Sequence, residues 1–118
     1  MSQKLENYLR TYRKRAGFTQ DEVAFLLGSQ SGAKVSRHER GGRIPGLETV
    51  LAYEMIFRTR ARDLFAGPYG RVEQHILRRA KLLSTKLLAK KQDKAAERKL
   101  AALKAIHGRI LKEFADHS

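Results

Sequence analysis

The sequence predicts an all-α fold, with five short helices in residues 1–67 and a two-helix extension over residues 68–118. Three observations predict it. Apolar residues recur at spacings of three and four along most of the chain, and no stretch alternates apolar and polar residues as a half-buried strand does. Glycine and proline fall between the periodic segments, at Gly17, Gly28, Gly41-Gly42, Pro45-Gly46 and Gly67-Pro68, where chain breaks are expected. From Arg71 to His107 neither occurs, so the last part of the chain reads as long helix.

The first helix is expected from Ser2 to Ala16, where Leu5, Leu9, Tyr12 and Ala16 form an amphipathic stripe. Arg13, Lys14 and Arg15 sit near its C-terminus, favourably for the helix dipole, and Gly17 ends it. Thr19 and Glu22 have the T-x-x-E spacing of a reciprocal capping box, with Phe18 as a hydrophobic staple in front. They open a second helix whose Val23, Ala24 and Leu27 share one face, and Gly28 is placed to end it in a left-handed conformation. Ser31 can cap a third helix over about 32–39, with Val35 inward and Lys34, Arg37 and Arg40 outward. A glycine- and proline-rich loop, 41–46, precedes a fourth helix from Leu47 to about Phe57, its period set by Leu47, Val50, Leu51, Glu54 and Met55, with Tyr53, Ile56 and Phe57 as further apolar positions. A short fifth helix is expected near Arg60–Phe65, with Ala66-Gly67-Pro68 as a breaker.

Composition narrows the function. The chain carries 25 Lys and Arg against 12 Asp and Glu, a net charge of +13, which points to a polyanionic partner, nucleic acid before membrane surface. It contains no cysteine, which excludes disulfides and thiolate metal sites. Its histidines at 38, 75, 107 and 117 lack metal-ligand spacing, and no glycine-rich phosphate loop follows a strand. A non-catalytic protein without a cofactor is expected. No apolar run suits a membrane span or a signal peptide, so the cytoplasm is the expected compartment.

Five ordered blocks carry a family resemblance: L-R-x-x-R-x-x-x-G-F-T-Q (Leu9–Gln20), E-V-A-x-L-L-G (Glu22–Gly28), V-S-R-x-E-R-G (Val35–Gly41), R-I-P-G-L-E-T-V (Arg43–Val50) and D-L-F (Asp63–Phe65). The region Leu9–Phe65 resembles the Xre family of helix-turn-helix domains, the group of the Cro and lambda-type phage repressors. The resemblance implies a five-helix lambda-repressor-like domain whose third helix enters the DNA major groove, as a dimer on a near-palindromic site, in a bacterial or phage setting. It also implies roles for residues. Gln20 would touch the DNA backbone and brace the recognition helix. Lys34, Ser36 and Arg37 would face the groove, and Arg37 has the geometry to reach guanine O6 and N7 with both guanidinium arms. Arg40, Arg43 and the Gly41-Gly42 amides would follow the phosphates. Arg13 and Glu39 match a structural ion pair between the first and third helices. Arg10, Lys14 and Arg15 read as a solvated face. The chain departs from the pattern in three ways: one extra residue between Gly28 and Gly41, His38 where an apolar residue packs, and no hydrogen-bonding side chain at Gly32-Ala33. His38 is expected in the core with a ring nitrogen bonded to backbone.

Residues 69–118 carry 13 Lys and Arg against 5 Asp and Glu. Two stripes, Val72, Ile76, Ala80, Leu83, Leu87 and Ala96, Leu100, Leu103, His107, Ile110, predict helices at about 70–91 and 94–115, with Asp93 as a cap for the second. A hairpin and one long bent helix both satisfy this pattern. The extension is expected to dimerise the protein or to bind a partner. The function expected is sequence-specific binding of double-stranded DNA by a homodimeric transcriptional repressor. The alternatives are the antitoxin of a toxin–antitoxin pair, its extension binding the toxin, and a protein that coats nucleic acid without sequence preference.

Overall fold

The computed structural model describes residues 6–116. Seven helices follow in order: α1 (Leu9–Ala16), α2 (Gln20–Leu27), α3 (Ala33–Glu39), α4 (Leu47–Phe57), α5 (Ala61–Leu64), α6 (Ala66–Leu88) and α7 (Lys94–Asp116). The chain divides into two compact units, Met1–Gly70 and Arg71–Ser118.

Each of the first five helices sends at least one side chain to a common core. Leu9, Val23, Ala24, Val35, Tyr53 and Leu64 are fully buried there, with Tyr12, Phe18, Leu27, Ile56, Phe57 and Phe65 packed around them. Tyr53 is the centre of an aromatic cluster, stacked on Phe57 at 6.1 Å and edge-on to Phe65 and His38. Large aromatic surfaces in edge and offset contact supply much of the burial energy of so small a core.

Local chemistry explains the helix boundaries. The capping box of α2 is formed: Thr19 Oγ1 accepts from the Glu22 amide, and Glu22 Oε1 accepts from the Thr19 amide. At the other end, the Gly28 and Ser29 amides donate back to the Phe25 and Ala24 carbonyls, with Gly28 at φ 81°. This satisfies carbonyls that the helix itself leaves open. The expected helix 2–16 is corrected over residues 6–8, which are not helical: α1 begins at Leu9, where Asn7 Oδ1 accepts the Leu9 amide and competes with helical bonding. Ser2 and Leu5 lie outside the described residues, and Ala16 is exposed rather than part of a buried stripe.

The face of α4 is partly corrected. Leu47, Leu51 and Met55 are exposed, whereas Tyr53, Ile56 and Phe57 pack inward as expected. An apolar residue occupies nearly every turn position of this helix, so the period alone did not select the buried side; the aromatic cluster selects it. The breaker expected at Ala66-Gly67-Pro68 is instead the first turn of α6. Proline is compatible there because first-turn amides have no helical acceptor. Gly67 sits against the chain at Glu6: its amide donates to the Glu6 carbonyl at 3.0 Å, and an added Cβ would lie 2.9 Å from that oxygen.

The second unit is a helical hairpin. Leu77, Ala80, Ser84 and Leu87 of α6 turn toward α7, where Ala96, Leu100, Leu103, His107 and Ile110 turn inward in the same alternation of three and four. That spacing is the signature of two helices packed along a shared seam. The stripe expected on α6 is therefore partly corrected: Val72, Ile76 and Leu83 are exposed, and the seam runs along the neighbouring face. Asp93 caps α7 through the Ala96 amide at 2.8 Å, and Gln92 Nε2 donates to the Leu87 and Lys90 carbonyls at the end of α6.

The turn between α2 and α3 holds the tightest glycine. Gly32 is buried, its amide donates to Asp21 Oδ1 at 2.8 Å, and a Cβ would stand 2.7 Å from that same oxygen. Gly32→Ala is expected to destabilise the protein by about 1–3 kcal/mol, as overpacking does. Gly70→Ala, in α6 with nothing near the added carbon, is expected to stabilise by about 0.5–1 kcal/mol. Thermal denaturation of the two variants should therefore shift the midpoint in opposite directions.

Candidate nucleic-acid interface

The third helix has two sides of different character. Val35 and His38 are buried, while Ala33, Arg37 and Arg40 are exposed and Lys34 and Ser36 are half-buried. It starts at Ala33, one residue later than expected, with Gly32 as its N-cap. The Ser31 hydroxyl accepts from the Ala33 amide at a long 3.4 Å, and Asp21 holds the turn more closely. Seven residues make a helix too short to persist alone, so its conformation comes from what holds it.

Its C-terminal end is held by a buried polar cluster. Arg13 donates from Nε to Glu39 Oε2 at 2.6 Å and from a terminal nitrogen to Oε1 at 3.1 Å. The other terminal nitrogen donates to the Phe18 carbonyl. Gln20 Nε2 also donates to Glu39 Oε1, at 3.1 Å. The Arg13 and Glu39 side chains are 11% and 4% exposed, so these bonds operate away from bulk water. The bond to Glu39 holds the Arg13 guanidinium above its ordinary range, against the opposing effect of burial. Gln20 is thus engaged by Glu39, a bracing contact inside the domain.

His38 faces the core. It is 1% exposed, its Nδ1 and the Tyr53 hydroxyl share a hydrogen bond of 2.9 Å, and Nε2 is buried without a hydrogen-bond partner among the described residues. The expected backbone bond to its ring is replaced by the tyrosine, which sits fifteen residues further on in the chain. Backbone bonding does occur at this residue, but through its carbonyl, which accepts from Asn7 Nδ2 at 2.8 Å. Burial lowers the His38 pKa, and the nearby charges of Lys34, Arg43 and Arg37 lower it further. Burial likewise raises the Tyr53 phenol, which stays protonated.

The sequence-derived site residues fall into two groups. Gln20, Ser36 and Arg40 line one side of a cleft of about 920 Å³ that Arg10 and Asn7 also border. Lys34, Arg37 and Arg43 lie close enough to His38 to act on it electrostatically. The Gly41 and Gly42 amides donate to the His38 and Arg37 carbonyls and end α3, so they are not turned to a phosphate as expected. Arg15 lies over the Tyr12 ring at 5.5 Å. Three contributors were not read from the sequence: Asn7, Asp21 and Tyr53. Asn7, two residues before Leu9, is the readable signal, since asparagine favours such local bonding; the partners of Asp21 and Tyr53 are distant in sequence. Among the described residues, no cluster of His, Asp and Glu is placed to hold a metal, and no helix is long and apolar enough to cross a membrane.

A short helix with one face locked in a core, the other basic and exposed, and a tight turn joining it to the preceding helix defines a helix-turn-helix. Residues 7–62 match the family described as helix-turn-helix domain. That family is an Xre/Cro-like one among helix-turn-helix domains, and the match covers 56 of the 118 residues. No curated protein and no solved structure matches the chain. A domain of this family implies DNA as the partner and a regulator rather than an enzyme.

Two predictions follow from the buried groups. Arg13→Ala is expected to cost about 3 kcal/mol, because it leaves the Glu39 carboxylate buried and poorly paired. Arg13→Ala combined with Glu39→Ala should cost less than the two single changes summed, as denaturant unfolding of the four proteins would show. The second concerns pH. With the folded-state pKa of His38 below its ordinary 6.5, the unfolded chain binds more protons than the folded one in acid. Its contribution to stability is fully present above pH 6.5 and declines as pH falls through 6.5 toward the folded-state value. His38→Gln should flatten that acid decline in unfolding midpoints recorded from pH 8 to pH 5.

Proposed function

We propose that the protein is a sequence-specific transcriptional regulator, a homodimeric repressor that lays α3 in the major groove of double-stranded DNA. The observation that carries this reading is the orientation of α3, whose core face is fixed by Val35 and His38 while Arg37 and Arg40 face solvent. In it, Arg37 reads guanine through two guanidinium arms, Lys34 reaches a neighbouring base or phosphate, and Ser36 contacts the groove wall. Arg40 and Arg43 neutralise phosphates and set the register. Gln20 acts through Glu39, holding the end of the recognition helix in place.

Binding as a pair fits this small reading surface. Few base contacts per copy give modest affinity, and two linked half-sites multiply it through effective concentration. Ile44, Leu47, Leu51 and Met55 form an exposed apolar stripe running from the phosphate-side loop along α4, a surface suited to a second copy.

Selection of bound fragments from genomic DNA by the purified protein tests the reading. A recurrent near-palindrome with half-sites spaced about 10 base pairs apart is expected; a preference below about 1,000-fold over bulk DNA contradicts it. On the selected site, Arg37→Ala should relax preference at one base pair per half-site by about 1–3 kcal/mol. Arg43→Ala should weaken all duplexes alike and lower the salt-dependence slope by about one.

A further inference from the structure

The hairpin leaves one side of its seam open. Between α6 and α7 runs a groove of about 590 Å³ with an apolar floor that includes Leu77, Leu88, Leu100 and Leu103. Leu88 is 65% exposed there. Lys81 stands on the α6 edge and Lys104 on the α7 edge, and no carboxylate is among the lining residues. Glu97, two turns from Lys104 on the same helix, lies outside that lining.

Two helices alone cannot enclose a seam of this kind, which a further helix completes in a bundle. The floor from Leu77 to Leu88 extends over about three helical turns, the length a docked helix needs to make several apolar contacts. The charges decide what kind of helix. A second copy of the hairpin would present the same patch in a two-fold contact, bringing a second pair of lysines and no carboxylate to Lys81 and Lys104. Residues 71–118 also carry 13 Lys and Arg against 5 Asp and Glu, so two such units repel. A helix whose apolar stripe is bordered on both sides by Asp or Glu meets neither obstacle.

We propose that the α6–α7 groove is a docking site for an amphipathic helix of another protein, its apolar stripe flanked by acidic residues that pair with Lys81 and Lys104. The leucines supply the attraction, and the two lysines select the partner and set the helix between them. The site is formed within the second unit, and its occupancy does not depend on how α3 reads DNA.

Fluorescence anisotropy of the full chain with a labelled synthetic helix of about 18 residues tests this. The helix carries leucine at heptad-spaced positions and glutamate beside them. Saturable binding, one helix per chain, is expected, weakening roughly tenfold when glutamine replaces the glutamates. Lys81→Glu with Lys104→Glu, both surface changes, should reverse the preference toward a lysine-flanked helix. Equal affinity for the glutamate and glutamine helices, no binding, or an unchanged preference in the double variant overturns the proposal. So does a chain that sediments as a dimer and becomes monomeric with Leu88→Asp, which assigns the groove to a second copy.

Discussion

The Glu39 carboxylate is where three separate segments of the DNA-binding unit meet. One oxygen accepts from both Arg13 of α1 and Gln20 of α2, and the other accepts from Arg13 again. A buried ion pair offers little net stability over an apolar substitute, since desolvation offsets much of the Coulomb attraction. Its value here is directional. A planar guanidinium meeting a carboxylate with two hydrogen bonds fixes distance and angle together, so α3 is held at one rotation about its axis. That rotation sends Val35 and His38 inward and leaves Arg37 and Arg40 outward. At the other end of α3, Asp21 grips the Gly32 amide. A seven-residue helix is thus fastened at both ends by carboxylate bonds that cross to its neighbours.

The same logic explains why a histidine is tolerated in the core. His38 occupies a position where the family pattern has an apolar side chain, and its ring is as buried as Val35. Tyr53 provides one hydrogen bond and an edge-on aromatic contact, which suits neutral imidazole. Three cations nearby disfavour its charged form. The basic face that suits α3 to a polyanion therefore also keeps the residue beneath it neutral and the core intact.

Features set by local chemistry were legible in the sequence. The capping box at Thr19 and Glu22, the glycine stops at Gly17, Gly28 and Gly41, the span of α4 and the Asp93 cap all depend on residues within a few positions of each other. The family blocks made the helix-turn-helix legible beyond what periodicity supplied. Features settled by distant packing were not. On α4 and α6 apolar residues cover more than one face, and only Tyr53 in its aromatic cluster or α7 across the seam decides which face is buried. Gly67 and Pro68 read as a stop because the sequence does not reveal that the chain at Glu6 lies against them. At the candidate site, the outward placement of Arg37 and Arg40 followed from helical spacing, whereas the bond that draws Gln20 to Glu39 required the folded chain.

The tight turn constrains how such a domain can discriminate DNA. Gly32 has no room for even a methyl group beside Asp21, and Ala33 carries only a methyl group. The entry to α3, where helix-turn-helix docking brings the chain to the groove, therefore offers no hydrogen-bonding side chain before Lys34. Enlarging Gly32 to add one would break the contact that positions the helix. On the proposed reading, direct recognition concentrates on Arg37, with Lys34 at the flank. The remaining discrimination then depends on DNA shape and on pairing two half-sites in one spacing. A reader with so few base contacts gains selectivity by rigidity: an arginine aimed by a fixed helix rejects a wrong base more strongly than one free to re-aim. The carboxylate bonds at Asp21 and Glu39 supply rigidity of that kind, so on the proposed reading residues that bond within the domain bear on which DNA is chosen.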